Sequence, residues 1–251
     1  VRVSDKFMDA VVKGETLILK FVTDTGEVIT KEVEAFPIFR KLAQMNWDYA
    51  EPGILFWDRI TSWNLLSNNK EFSYAGVNPC AEEPLPAGGS CLLGSINLAE
   101  FVTKEGTLDL LSLRETIQAA VIALNEVLDE GLPLHPLQEQ RDSVADWRQI
   151  GLGVMGLADM LIKLKVKYGS ATSRSVIESI GHELIMTALE TSSILAASHG
   201  PYPKFNRDYV IRTPFFKNLD SGDMNDLRFQ SLYDDVCKYG LRNSQLLTCA
   251  P

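Results

Sequence analysis

The spacing of hydrophobic positions changes several times along the chain, and each change predicts a different element. In LILKFV (17–22), Leu17, Leu19 and Phe21 alternate with Ile18, Lys20 and Val22, and EVITKEV (27–33) comes after TDTG. This predicts two strands around a tight turn, with Gly26 supplying the backbone freedom. FPIFRKLAQMNWDYA (36–50) takes up helical spacing until EPG ends it, and ILFWDRITSWNLL (54–66) predicts a further helix carrying Trp57 and Trp63. The strongest helical signal is DLLSLRETIQAAVIALNEVLDEG (109–131), where Leu110, Leu113, Ile117, Ala120, Val121, Leu124 and Leu128 recur at i+3/i+4. Gly131 suits the position just past that helix. A second long helix is expected from about Ser173 to His199, with Ser170, Thr172 and Ser173 as N-cap candidates and Gly200-Pro201 as its stop. Residues 200–227 are rich in turn formers, and LRNSQLLTCAP reads as a short strand entering another loop. Helices predominate with short strands between them, so the fold class is α/β and helix-rich.

Composition narrows the function classes. The chain has 251 residues, 45% hydrophobic and 23% charged, enough to bury a sizeable core. A net charge of -9 argues against electrostatic binding to a DNA or RNA polymer or to an anionic membrane. It leaves room for a nucleotide held by backbone N–H groups at a helix start. No apolar run reaches the length of a membrane span, and VRVSDKFMDA does not open like a signal peptide. Four cysteines without a C-x-x-C pair fit a reducing, cytoplasmic setting. The absence of an initial Met and the stop at Pro251, directly after LLTCA, lead us to expect a segment of a longer protein.

Several candidate motifs have ordinary explanations. GLGVMG (151–156) matches G-x-G-x-x-G, yet SVADWRQI before it is no buried strand and no acid stands beyond it at the dinucleotide spacing. Close packing of a helix against a neighbour accounts better for those glycines. His135, His182 and His199 are scattered and make no metal-binding spacing. Asp234-Asp235 and Asp223/Asp226 read as solvated turn acids, and Cys237 and Cys249 as inert packing cysteines in apolar surroundings.

NPCAEEPLPAGGSC (78–91) stands apart. Pro84 and Pro86 block regular ladders and Gly88-Gly89 loosens the backbone ahead of Cys91, so a loop is expected. If Asn78–Glu82 is extended, residues 78, 80 and 82 project to one side. An amide, a thiol and a carboxylate then share one face. No histidine lies nearby to activate a thiolate, which disfavours ionic cysteine catalysis. A one-electron thiyl role needs no histidine, only a shielded loop tip and a base for a substrate hydroxyl.

These residues bring a family into view. NPCAE with SCLLGSINL after it resembles the finger loop of the ribonucleotide reductase large (catalytic) subunit. EPGILFWDRI, RQIGLGVMGLADMLIKL and LRNSQLLTCAP resemble the same family in matching order, so the likeness covers most of the chain. It implies a ten-stranded α/β barrel with the cysteine loop, about residues 76–92, threaded through its centre. It further implies that residues 1–251 form a single segment of that barrel domain. By the resemblance, Cys80 becomes the thiyl radical that abstracts the 3′ hydrogen of the ribose. Glu82 is the base for the 3′-hydroxyl, and Asn78 hydrogen-bonds the ribose hydroxyls. Cys91 belongs to the redox pair that ends as a disulfide, while Pro79 and Ala81 shape the substrate-contacting backbone. Ala81 stands where glycine is frequent in that family.

The resemblance implies a ribonucleoside di- or triphosphate substrate and a thioredoxin- or glutaredoxin-type reductant. The radical source it implies is adenosylcobalamin or a metal-containing small subunit, and the parent is expected to be a homodimer. Residues 1–79 hold no cysteine to pair with Cys91. The family's phosphate-cradling Pro-Thr-Gly breaks off at Pro251, and the regulatory N-terminal part and C-terminal cysteine pair are missing. An internal fragment, inactive alone, is therefore expected. The competing readings are a glycyl-radical lyase, disfavoured by Asn-x-Cys-x-Glu together with Cys91, and a non-enzymatic helical binding module with incidental thiols.

Overall fold

In the computed structural model, which describes residues 1–220 and 226–250, the chain divides into two compact units, Val1–Trp63 and Asn64–Pro251. In the first unit, strand β1 (Arg2–Val3) leads into helix α1 (Asp5–Lys13). Ser4 caps this helix by accepting from the Phe7 N–H, and Gly14 ends it in the left-handed region. Strands β2 (Thr16–Val22) and β3 (Val28–Glu34) form the expected antiparallel hairpin, with Leu19 opposite Lys31, and α2 (Ala35–Tyr49) comes directly after. Alternation in β2 does not separate a buried face from a wet one, because Leu19 and Phe21 are exposed like Ile18 and Val22.

The helix expected over 54–66 is shorter. Strand β4 (Leu55–Phe56) pairs in parallel with β1, and this claims the first residues before α3 (Trp57–Ser62) can begin. Beyond it, the Asn64 side chain accepts from the Leu66 N–H, a local turn that competes with helix.

The second unit holds the hairpin of β5 (Gly76–Val77) and β6 (Pro84–Leu85), then β7 (Leu93–Asn97). Pro84 is thus part of a short strand after all, tolerated in a two-stranded ribbon where its missing N–H breaks no continuous ladder. A 3₁₀ turn at Leu98–Phe101 precedes α4 (Leu110–Gly131), capped by Asp109. Gly131 remains helical rather than ending the helix, because the chain tightens into a second 3₁₀ turn at Leu132–Leu134. After α5 (Gln138–Trp147) the chain enters β8 (Gly151–Met155), which pairs in parallel with β7. Helices α6 (Leu157–Lys163) and α7 (Ala171–His199) come next, the latter capped by Ser170 through the Ser173 N–H. Two short helices, α8 (Arg207–Val210) and α9 (Pro214–Lys217), precede α10 (Leu227–Tyr239).

The C-terminal stretch runs beside β8 on the side away from β7. The Ile150 and Leu152 N–H groups donate to the Gln245 and Leu246 carbonyls, and the Thr248 N–H donates to the Leu152 carbonyl. LRNSQLLTCAP thus does not form the expected strand: it makes a single parallel bridge, Leu247 to Leu152, in an otherwise irregular stretch, and Pro251 lies outside the described residues. No closed barrel forms among the described residues; beside the parallel pair β1–β4, β7 and β8 pair in parallel and the C-terminal stretch adds one parallel bridge to β8. No helix among them is long and apolar enough to cross a membrane.

The core lies between α4, α7, α10 and this parallel strip, with Leu113, Ile117 and Val121 of α4, Met186 and Leu189 of α7, Val236 of α10 and Leu152 of β8 all buried. Two polar networks pin it. Glu183 on α7, only 6% exposed, takes paired hydrogen bonds from Arg114 on α4 and from Arg228 on α10, plus one from Thr187. Burial pushes the Glu183 carboxyl up, but these three donors outweigh it and hold it at about 2. The second network centres on fully buried Asn243, whose amide exchanges two hydrogen bonds with Asn125 of α4. It also accepts from Ser192 of α7 and donates to the Arg148 carbonyl, so the C-terminal stretch is fastened to both long helices.

Asp226 accepts from the Phe229 N–H as the N-cap of α10, and Asp234 and Asp235 lie within that helix rather than in a turn. The capping geometry and the apolar positions around them decide this. Asp223 lies outside the described residues.

Candidate active site

Residues 78–83 do not run extended. The Ala81 N–H donates to the Asn78 carbonyl at 3.0 Å, and the Asn78 N–H donates to the Glu83 carbonyl at 3.2 Å. The Asn78 side chain closes the loop from the other direction, its Oδ1 accepting from the Glu83 N–H at 3.0 Å. The period-two argument for a shared face therefore fails: Pro79 and Cys80 form the turn, and Ala81 adopts φ of 70°. That left-handed conformation costs an L-residue about 1–2 kcal/mol and suits glycine.

The turn leaves Cys80 exposed at the tip and turns both carboxylates beyond it inward. Glu82 Oε2 and Glu83 Oε1 are buried, and neither has a hydrogen-bond partner among the described residues. The loop is held down from the C-terminal stretch, where the Thr248 hydroxyl donates to the Glu82 carbonyl at 3.0 Å. Glu83 is pressed against β8: a Cβ on Gly151 would stand 2.0 Å from Glu83 Oε1. Burial first, then the neighbouring charge of Glu82, raises the Glu83 carboxyl from the ordinary 4.5 to about 8.

Cys91 completes the cluster from the far end of the loop. Its thiol is exposed at one side, yet partial desolvation and then the charges of Glu83 and Glu82 push its pKa up. Burial and the Glu83 charge likewise raise the Tyr74 phenol. All four cysteines are free thiols.

Of the residues singled out in the sequence, Asn78, Glu82 and Cys91 gather around Glu83, and Cys80 stands outward on the same loop. Pro79 and Ala81 build its turn. Glu83, Gly151 and Thr248 were missed as site residues. Glu83 was visible only as the second half of a carboxylate pair, and the other two reach the loop only through strand pairing. GLGVMG is neither a phosphate loop nor a helix-packing surface. Its first five residues are β8 itself, and its glycines clear Glu83 at 151, the Thr248 carbonyl at 153 and Asn97 Oδ1 at 156. Cys249 is exposed rather than packed, because the last turn of chain leaves the strip. Cys237 is half-buried on α10.

The sequence matches the family model for the ribonucleotide reductase barrel domain over residues 1–251. The chain belongs to the ribonucleotide reductase family. It is 34% identical over 203 residues to a vitamin B12-dependent ribonucleoside-diphosphate reductase of Thermoplasma acidophilum, covering 81% of this chain and 26% of the relative. A vitamin B12-dependent ribonucleotide reductase of Streptomyces clavuligerus is 30% identical over 270 residues, covering 100% and 28%. The ribonucleoside-diphosphate reductase subunit alpha of Chlamydia pneumoniae is 32% identical over 250 residues, covering 91% and 23%. The chain thus spans about a quarter of the length of these curated relatives. A family match along the whole chain leaves the glycyl-radical lyase and the helical binding module without support.

Proposed function

We propose that the full-length protein bearing this segment reduces ribonucleotides to 2′-deoxyribonucleotides with Cys80 as the radical-bearing sulfur. The observation that carries this reading is the closed loop of Asn78–Glu83, which sets the Cys80 thiol at its tip and turns the Glu82 and Glu83 carboxylates inward, where their charges act on the second thiol, Cys91. In the proposed reaction the Cys80 thiyl takes the ribose 3′ hydrogen, breaking C–H and forming S–H. Glu82 accepts the 3′-hydroxyl proton, the 2′ C–O bond breaks, and the hydroxyl takes a proton from the thiol pair and leaves as water. Cys91 and a partner thiol outside this chain supply that proton, the hydrogen that goes onto C2′ and two electrons, and become a disulfide, which a thioredoxin- or glutaredoxin-type dithiol re-reduces. Glu82 returns its proton to the 3′ oxygen, and hydrogen is restored to C3′ from Cys80, regenerating the radical. Asn78 orients the ribose hydroxyls, with Pro79 and Ala81 shaping the backbone beside them.

For the radical source we favour adenosylcobalamin, because two of the relatives are vitamin B12-dependent enzymes by name. When bound, this cofactor supplies the radical equivalent that starts turnover. The shielding that a thiyl at the loop tip requires is not supplied by the described residues, where Cys80 is exposed, and would come from the rest of the parent or from the bound groups. Among the described residues no cluster of three or more His, Cys, Asp or Glu is placed to hold a metal ion. The alternative source, a metal-containing small subunit, would therefore act from another chain. Cytoplasmic location, a homodimeric parent, residues 76–92 as the barrel's finger loop and a di- or triphosphate substrate belong to the same proposal.

The test is an assay of the full-length protein with CDP and CTP, excess dithiol, and adenosylcobalamin present or omitted. Turnover that requires the cofactor and disappears in Cys80→Ser is the expected result. Turnover surviving in Cys80→Ser would sink the thiyl assignment, and turnover only with an added small subunit would overturn the cobalamin assignment.

A further inference from the structure

Glu83 has no role in the chemistry described so far, yet it is the most enclosed residue of the loop, 3% exposed. Its backbone is fixed at both polar atoms by Asn78, through N–H to Oδ1 and carbonyl to N–H. Its side chain lies against the glycine backbone of β8 with Oε1 buried and unpartnered. The adjacent Glu82 also buries an unpartnered oxygen, Oε2. Two ionised carboxylates side by side in such a place would each lack compensation. A pair of this kind ionises in two steps, with the first charge opposing the second.

We propose that Glu83 is a positioning residue of the reduction site: enclosed beside Glu82 with no partner for its buried oxygen, it stays uncharged and thereby limits the negative charge facing Cys91. The inference rests on the functional reading above, because Glu82 and Cys91 are the groups through which Glu83 acts. The titratable groups that face it are Glu82 on the same loop, Tyr74 ahead of β5 and Cys91 ahead of β7. The raised affinity of Glu83 for its proton agrees with this arrangement. While the proton stays on Glu83, its carboxyl adds no negative charge beside Cys91. When that proton leaves to solvent in mild alkali, the added charge makes the Cys91 thiol harder to ionise.

Two measurements on the full-length protein decide this, and neither requires turnover. Carbon-13 NMR of glutamate carboxyls in the wild-type protein should show one group titrating near pH 8, and Glu83→Gln should remove it. Alkylation of Cys91 by iodoacetamide, with mass spectrometry of its peptide, should be faster in Glu83→Gln at about pH 9. The gain is up to about tenfold, the effect of one unit in a thiol pKa. If every glutamate titrates in the ordinary range, or if Cys91 alkylates at the same rate in both proteins, the proposal is overturned. In an active enzyme, the alkaline limb of the pH–rate profile should also move in Glu83→Gln, and an unmoved limb would count against it. Failure of nucleotide reduction with the NMR and alkylation results intact would overturn the functional reading and leave the uncharged Glu83 standing.

Discussion

Asn78 and Glu83 close the candidate site loop on itself, with the Asn78 side chain accepting from the Glu83 N–H at 3.0 Å and its N–H donating to the Glu83 carbonyl at 3.2 Å. The same amide proposed to orient ribose hydroxyls therefore also sets where both carboxylates point. Asn78→Ala should lose a hydrogen bond of about 1 kcal/mol and speed exchange of the Glu83 amide roughly fivefold to tenfold. Hydrogen exchange on the folded protein reads this directly, and unchanged protection would show that the backbone bonds hold the loop alone.

Ala81 sits at φ of 70°, where its Cβ is unwelcome. Ala81→Gly should relieve that strain and, after the larger chain entropy of glycine is subtracted, stabilise the protein by about 0.5–1 kcal/mol. Denaturant unfolding gives the sign, and a loss of stability would refute the left-handed turn.

Gly151 faces the Glu83 carboxyl so closely that a Cβ would meet Oε1 at 2.0 Å and Leu93 Cδ2 at 2.7 Å. Gly151→Ala must push Glu83 or part β7 from β8, at a cost of about 1–3 kcal/mol. In an active full-length enzyme the same substitution should lower turnover through Glu82 and Cys91 while leaving Cys80 accessible to alkylation. A variant of wild-type stability and rate would show that the contact is slack.

Two carboxyls make opposite contributions to the pH dependence of stability. Glu83 is raised from 4.5 to about 8 in the fold, so the folded state holds its proton more tightly than the unfolded chain does. Its contribution is fully present below pH 4.5 and is lost as pH rises through about 8. Glu183 is lowered from 4.5 to about 2, so its contribution is present above 4.5 and is lost as pH falls through about 2. Thermal melts should show Glu83→Gln removing the fall in stability between pH 4.5 and about 8. Glu183→Gln should flatten the acid side and also cost about 3 kcal/mol at neutral pH, because Arg114 and Arg228 lose the charge between them.

Asn243 satisfies its side-chain amide inside the core, against Asn125, Ser192 and the Arg148 carbonyl. Asn243→Leu should leave those buried polar groups short of partners and cost on the order of 3 kcal/mol. Because Asn243 fastens the C-terminal stretch, Thr248 should also lose its hold on Glu82, which protease sensitivity of residues 244–250 would report.

The sequence by itself determined the local elements whose signals are written in consecutive residues. The hairpin across Gly26, the body of α4, the end of α7 at His199 and the Ser170 cap all come from periodicity and end chemistry that neighbouring residues enforce. So does the family, because NPCAE and its companion segments occur in order within one chain. Tertiary structure decided what depends on partners distant in sequence. The strand nature of GLGVM comes from pairing with residues 93–97 and 245–248, and a short glycine-rich run has no periodicity of its own to announce it. The first residues of the expected helix at 54–66 go to β4 because Arg2–Val3 offers a strand to pair with. In the candidate site, chemistry was legible and geometry was not. Residue types named Asn78, Cys80, Glu82 and Cys91, but a hydrogen-bonded turn replaced the extended stretch, and only burial against Gly151 brought out Glu83. A carboxylate's role depends on what removes its water, and here that work falls to β8, whose first residue lies 68 positions farther along the chain than Glu83.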